Sequence, residues 1–96
     1  MNLRELEYLV ALADTGHFGQ AAQACGVSQP TLSAQIRRLE DDLGVTLVAR
    51  GRRAELTAAG VRVTELARQM LALSDDIHAA ARECAGVHAA DLARRQ

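Results

Sequence analysis

The sequence predicts a mainly α fold: a winged helix-turn-helix followed by a long helix suited to pairing. Three observations predict it. Two short stretches with helical apolar spacing end on glycines, Gly16 and Gly26, and a third opens on Ser28-Gln29-Pro30 and ends on Gly44. A β-prone run, Val45 to Val48, turns through Arg50-Gly51-Arg52-Arg53 and returns at Ala54-Glu55-Leu56. From Ala59 onward an apolar stripe advances in alternating steps of four and three residues.

Each element follows from local chemistry. Asn2 caps the first helix and Glu5, three residues on, can reach back to it. Leu3, Leu6, Leu9, Val10 and Ala13 then recur at helical spacing until Gly16. The second helix, from about Phe18 to Cys25, carries Ala21, Ala22 and Ala24, small enough for another helix to approach. Gly26 ends it and Val27 points back to the core. Ser28 caps the third helix, and Pro30 occupies the first turn, where a missing N–H costs nothing. Its apolar stripe is Leu32, Ile36, Leu39 and Leu43. At about 100° per residue, Pro30, Ala34, Arg37 and Asp41 lie opposite, Ser33 and Arg38 flank them, and Glu40 and Asp42 project to the sides.

The hairpin with arginines at its tip is a wing, and Thr57 caps the fourth helix. The stripe there is Ala59, Val63, Leu66, Met70, Leu73, Ile77, Ala80 and Cys84, a narrow seam of the kind that pairs two helices. After Gly86 the pattern fades. The expected organisation is a winged unit over 1–57, a pairing helix over 58–85, and a tail or the start of a linker over 86–96.

A helix entering a major groove needs short hydrogen-bonding side chains in its first turns. Ser28, Gln29, Pro30, Thr31, Ser33 and Ala34 supply them. Gln29 suits adenine, Thr31 and Ser33 suit several base edges, and the Pro30 ring suits a thymine methyl. Arg37 and Arg38 would grip phosphate or guanine, with Arg50, Arg52 and Arg53 on the wing reaching phosphate or a narrow minor groove. The bland alternatives are a Ser28 that only caps, a Pro30 that only starts the helix, and an Arg37–Arg38 pair that is solvated or bridged to Asp41 or Asp42.

The net charge of −1 does not advertise a nucleic-acid binder, but the distribution does. All eleven basic residues are arginine, and five of them fall between positions 37 and 53. Cys25 and Cys84 are too far apart for a zinc motif, and no metal or cofactor is expected. His17 has no arranged acidic partner, His78 and His88 are isolated, and Met70 reads as seam filling, so no catalytic role is expected. No run approaches the ~20 apolar residues of a membrane span, and Arg4, Glu5 and Glu7 interrupt any leader. The expected setting is the reducing cytoplasm with free thiols.

Across Leu6-Glu7-Tyr8-Leu9, Phe18, Ala21-Ala22, Val27 to Ser33, Gln35-Ile36-Arg37, Leu39-Glu40, Leu43-Gly44-Val45, Leu47, Arg50 and Leu56-Thr57-x-Ala59-Gly60, the chain resembles the amino-terminal domain of LysR-type transcriptional regulators. The resemblance covers residues 1 to about 85. Asn2 to Ala13, His17-Phe18, Cys25 and Glu40-Asp41-x-Leu43-Gly44-Val45 are most similar to the peroxide-sensing OxyR group. It implies DNA contacts at Gln29, Pro30, Thr31, Ser33 and the wing arginines, and control of oxidative-stress genes. It further implies homodimers through antiparallel linker helices, tetramers in the full-length protein, and an effector domain beyond this chain.

Two functions are therefore weighed. One is sequence-specific binding of double-stranded DNA as a dimer, reading an interrupted palindrome whose half-sites lie about one helical turn or slightly more apart. The other is a helix-mediated oligomerisation module using the helix-turn-helix as scaffold. The arginine cluster at 37–53 favours the first. With a two-fold axis near Met70–Leu73, Cys84 faces the partner's Ala59 and no disulfide between the two copies is expected.

Overall fold

The computed structural model describes residues 1–94, with backbone alone for 87–94. The order is α1 (Leu3–Thr15), α2 (Phe18–Cys25), α3 (Gln29–Leu43), β1 (Val48–Arg50), β2 (Ala54–Leu56) and α4 (Ala58–Arg94).

The caps act as their chemistry demands. The Asn2 side chain accepts the Glu5 N–H at 2.8 Å, and the Glu5 carboxylate accepts the Asn2 N–H at 3.1 Å. At the other junction, Gly26 takes φ 69° and lets the Val27 N–H turn back to the Ala22 carbonyl at 3.0 Å. A side chain at Gly26 would be strained in that conformation, so glycine makes the tight α2–α3 turn. Ser28 Oγ accepts the Thr31 N–H and starts α3.

The core draws Leu6, Tyr8, Leu9 and Leu12 from α1, Ala21 and Ala22 from α2, and Leu32, Ile36 and Leu39 from α3. Leu47, Val48 and Ala67 complete it. The apolar stripes are shifted at two ends from those read in the sequence. Leu3 is exposed while Leu12 and Tyr8 face inward, and Leu43 is exposed because the last inward position of α3 belongs to Glu40.

The wing is a two-stranded antiparallel sheet pairing Val48 with Leu56, Ala49 with Glu55 and Arg50 with Ala54. The expected strand from Val45 starts later. The Val45 N–H bonds the Glu40 carbonyl, the Thr46 carbonyl accepts the Thr57 hydroxyl at 2.7 Å, and the Leu47 N–H goes to the Glu40 side chain. These groups are committed to α3 and to the α4 cap, so they cannot join the ladder. Arg50 consequently lies in β1, not in the turn.

Thr57 caps α4 by accepting the Gly60 N–H at 3.0 Å. Gly60 is buried, and a Cβ there would overlap the Leu47 carbonyl oxygen, so this first turn can lie on the segment leading into the wing only with glycine. Thr64 and Ala67 are also buried, and Arg68 pairs with Asp14 of α1. Beyond that contact α4 projects outward. Its 37 residues span about 55 Å, and the molecule measures 63 × 24 × 20 Å. The helix continues through Gly86 to Arg94, past the point where the apolar stripe fades.

Candidate nucleic-acid interface

The start of α3 is open to solvent. Ser28, Gln29, Pro30, Thr31 and Ala34 are exposed, Ser33 is half-buried, and Arg37 and Arg38 are exposed. Ser28 also donates its hydroxyl to Thr31 Oγ1 at 2.8 Å, so the Thr31 hydroxyl is oriented before any ligand arrives. The Gln29 side chain lies near Gly19, where an added Cβ would stand 3.5 Å from Oε1.

Gln29 and the wing meet across one cleft. About 290 Å³ of space is lined by Gly16, His17, Phe18, Gly19, Gln29, Gly51, Arg52 and Ala54. The first turn of α2, the first turn of α3 and the base of the wing tip therefore face the same side. Arg52 and Arg53 are exposed, and among the described residues Arg37, Arg38, Arg52 and Arg53 make no ion pair. Their charge is available to an outside anion.

Arg38 and Arg50 sit differently from the others. Arg38 lines a second recess with Met1, Asn2, Glu5, Asp41 and Asp42, an acid-rich setting away from the Gln29 cleft. Arg50 donates to Glu40 Oε1 at 3.1 Å, and its guanidinium stands over the Phe18 ring at 5.8 Å. Glu40 itself is buried. Its Oε2 accepts the Leu47 N–H at 2.8 Å and the Val48 N–H at 3.2 Å. Burial alone would raise the Glu40 pKa, but the two backbone donors and Arg50 outweigh it and hold the carboxyl below the usual glutamate value. Sequence reasoning placed Glu40 at the side of the helix and missed this role. The available signal was a glutamate beside the inward Leu39, ten residues before an arginine.

The predicted pairing seam divides in two. Ala59 and Val63 pack against the core of their own chain. Leu66, Met70, Leu73 and Ile77 are exposed, as are Ala80 and Cys84. Cys25 is half-buried, and burial pushes its thiol up, with Arg4 offsetting part of the rise. His17 is the exposed residue before α2, and His78 Nδ1 lies 2.7 Å from the Ser74 carbonyl. The His88 side chain lies outside the described residues. Among the described residues no helix is long and apolar enough to cross a membrane.

Comparison with known proteins adds the family context. Residues 3–61 match the model of the bacterial regulatory helix-turn-helix protein, lysR family. The chain is 58% identical over 72 residues to the hydrogen peroxide-inducible genes activator of Pectobacterium carotovorum subsp. carotovorum. It is 57% identical over 72 residues to the DNA-binding transcriptional dual regulator OxyR of Escherichia coli K12. Each alignment covers 74% of this chain and 24% of the relative, so the chain spans about a quarter of the length of these proteins. Among solved structures, the CbnR DNA-binding domain–DNA complex superposes with TM-score 0.84 at 42% identity, covering 88% of this chain and 99% of that one.

Proposed function

Because this chain belongs to the LysR family of bacterial regulatory helix-turn-helix proteins, we propose that it binds double-stranded DNA sequence-specifically, as the dimeric DNA-binding part of a transcription regulator. The observation that carries the reading is the shared cleft, which puts Gln29 of α3 and Arg52 of the wing on one side of the molecule. A duplex seated there meets short polar side chains at its base edges and uncommitted arginines at its backbone.

In this reading Gln29, Pro30, Thr31, Ser33 and Ala34 face the major groove, with Ser28 orienting Thr31. Arg37, Arg52 and Arg53 contact phosphates or an adjacent minor groove. Arg50 supports the wing from behind through Glu40. Arg38 sits beside Asp41 and Asp42 and contributes least. Residues 1–57 form the reading head and 58–85 the pairing helix, with 86–96 leading on towards an effector domain.

The pairing surface is Leu66, Met70, Leu73 and Ile77. An apolar stripe left open on a projecting helix marks an interaction surface. Its spacing is symmetric about a point between Met70 and Leu73, so an antiparallel second copy would set Leu66 against Ile77. Two heads on such a pair read an interrupted palindrome. The likeness to hydrogen peroxide-inducible genes activators supports oxidative-stress genes as targets. In the same reading the longer regulator is a cytoplasmic tetramer that acts by binding and not as an enzyme.

The test is the salt dependence of duplex affinity. Arg52→Ala and Arg53→Ala should weaken binding to most sequences and flatten the slope of log affinity against log salt. Gln29→Ala should relax sequence preference with little change in slope. If both wing variants leave affinity and slope unchanged, the wing does not touch DNA.

A further inference from the structure

The fourth helix carries two stripes, and only one was visible as a hydrophobic pattern. Gly60, Thr64 and Ala67 are buried where α4 packs on its own chain, against α1 and β2, and Leu71 and Ser74 continue the same line half-buried as the helix leaves the head. Leu66, Met70, Leu73 and Ile77 form the open stripe. At 100° per residue the two stripes are about 110° apart around the helix. The helix can therefore dock on its own head and on a partner at the same time, with a fixed angle between the two contacts.

We propose that the docking of α4 on α1, through Gly60, Thr64, Ala67 and the Asp14–Arg68 ion pair, is the specificity element that sets the spacing between operator half-sites. This rests on the pairing reading above. If two copies join through the open stripe, each head is held to the two-fold axis only by its docking on α4. The Gly60 contact blocks a shift of the helix towards the wing, because the Leu47 carbonyl lies directly against it. Ala67 is 1% exposed within the core, next to the residue whose ion pair reaches α1, so the contact here is made by a small side chain. Arg68 ties the far edge of the contact to Asp14, the penultimate residue of α1.

The tolerances are narrow. Neighbouring base pairs differ by about 3.4 Å in rise and about 34° in twist. From Ala67 to Ile77 the helix advances about 15 Å, so a tilt of about 10° at the docking contact moves the pairing end by roughly 2.6 Å. That approaches one base-pair step. A docking seam of small, buried residues bounded by a carbonyl on one side and an ion pair on the other restrains such a tilt.

The experiment uses this chain and duplexes bearing two selected half-sites in inverted orientation, separated by a gap varied one base pair at a time. A duplex with a single half-site reports whether the reading head is intact. The unmodified chain should prefer one spacing over its neighbours by about tenfold or more. Asp14→Arg, which opposes like charges at an exposed pair, and Ala67→Leu, which pries the helices apart, should cut that preference to about threefold or move the optimum by about one base pair. Both should keep single-half-site affinity. Asp14→Arg combined with Arg68→Asp should restore the original profile, and Glu65→Ala, on an exposed face of α4 away from both stripes, should leave it untouched. A sharp profile in the unmodified chain that neither variant moves overturns this inference alone. A flat profile in the unmodified chain, or a chain that stays monomeric, overturns the pairing reading and this inference with it.

Discussion

Residues 3–57 bury Leu6, Leu9, Leu12, Leu32, Ile36, Leu39 and Leu47 to 2% exposure or less, whereas α4 leaves Leu66, Met70, Leu73 and Ile77 between 41% and 68% exposed. All but Leu12 lie in the apolar runs read from the sequence. Periodicity marks a face that must be covered, but not which chain covers it. In the reading head the covering elements come from the same chain. Between residues 66 and 77 of α4 nothing among the described residues covers the stripe fully, and in the proposed dimer a second copy supplies the cover.

Substitutions should separate the two regions cleanly. The largest effect is expected from Leu73→Asp, which puts a charge in the middle of the open stripe. Sedimentation should report monomers, and affinity for a two-half-site duplex should fall about a thousandfold as the benefit of linked heads disappears. The fold of the head should survive, and a variant that stays dimeric would place the partner surface elsewhere.

Gly60→Ala tests the opposite region. A Cβ against the Leu47 carbonyl forces α4 off the wing, and urea unfolding should show a loss of about 3 kcal/mol. Glu40→Gln should cost about 2 kcal/mol in the same assay, since the carboxylate holds two backbone donors and Arg50. The sign with pH follows from its lowered pKa. This contribution is fully present above the unfolded-state glutamate value and is lost as pH falls through the lower folded value. Acid titration of the two proteins should therefore show their stabilities converging at low pH.

The smallest effect distinguishes arginines within the wing. Arg52→Gln should reduce the salt slope by about one for each phosphate that the side chain no longer neutralises. Arg50→Gln should lower stability and leave the slope nearly unchanged, because Arg50 already has its partner in Glu40. Equal slope changes would return Arg50 to the DNA-contacting set.

The legible parts of the fold were those whose cause is local. Asn2 with Glu5, Gly26 and Ser28 with Pro30 fix helix ends through near neighbours, and α2 occurs over the residues expected from them. The exposed first turn of α3 was legible for the same reason, since the stripe Leu32, Ile36, Leu39 dictates what lies opposite. What escaped depends on contacts across the chain. Glu40 reads as a surface acid until the wing folds its backbone N–H groups onto it. Strand pairing begins at Val48 and not Val45 because that same carboxylate and Thr57 claim the intervening groups. The docking stripe of α4 was hidden because glycine, threonine and alanine leave almost no hydrophobic signal, while the exposed leucines beside them leave a strong one.

Sequence-specific binding as a dimer is tested most directly by selecting bound sequences from a random duplex library at low salt, with the mass of the complex measured in parallel. An inverted repeat at one fixed spacing, bound by two copies of the chain, is the expected outcome. Recovery of no motif, with the chain still dimeric, would contradict it and identify the helix-turn-helix as a scaffold for oligomerisation.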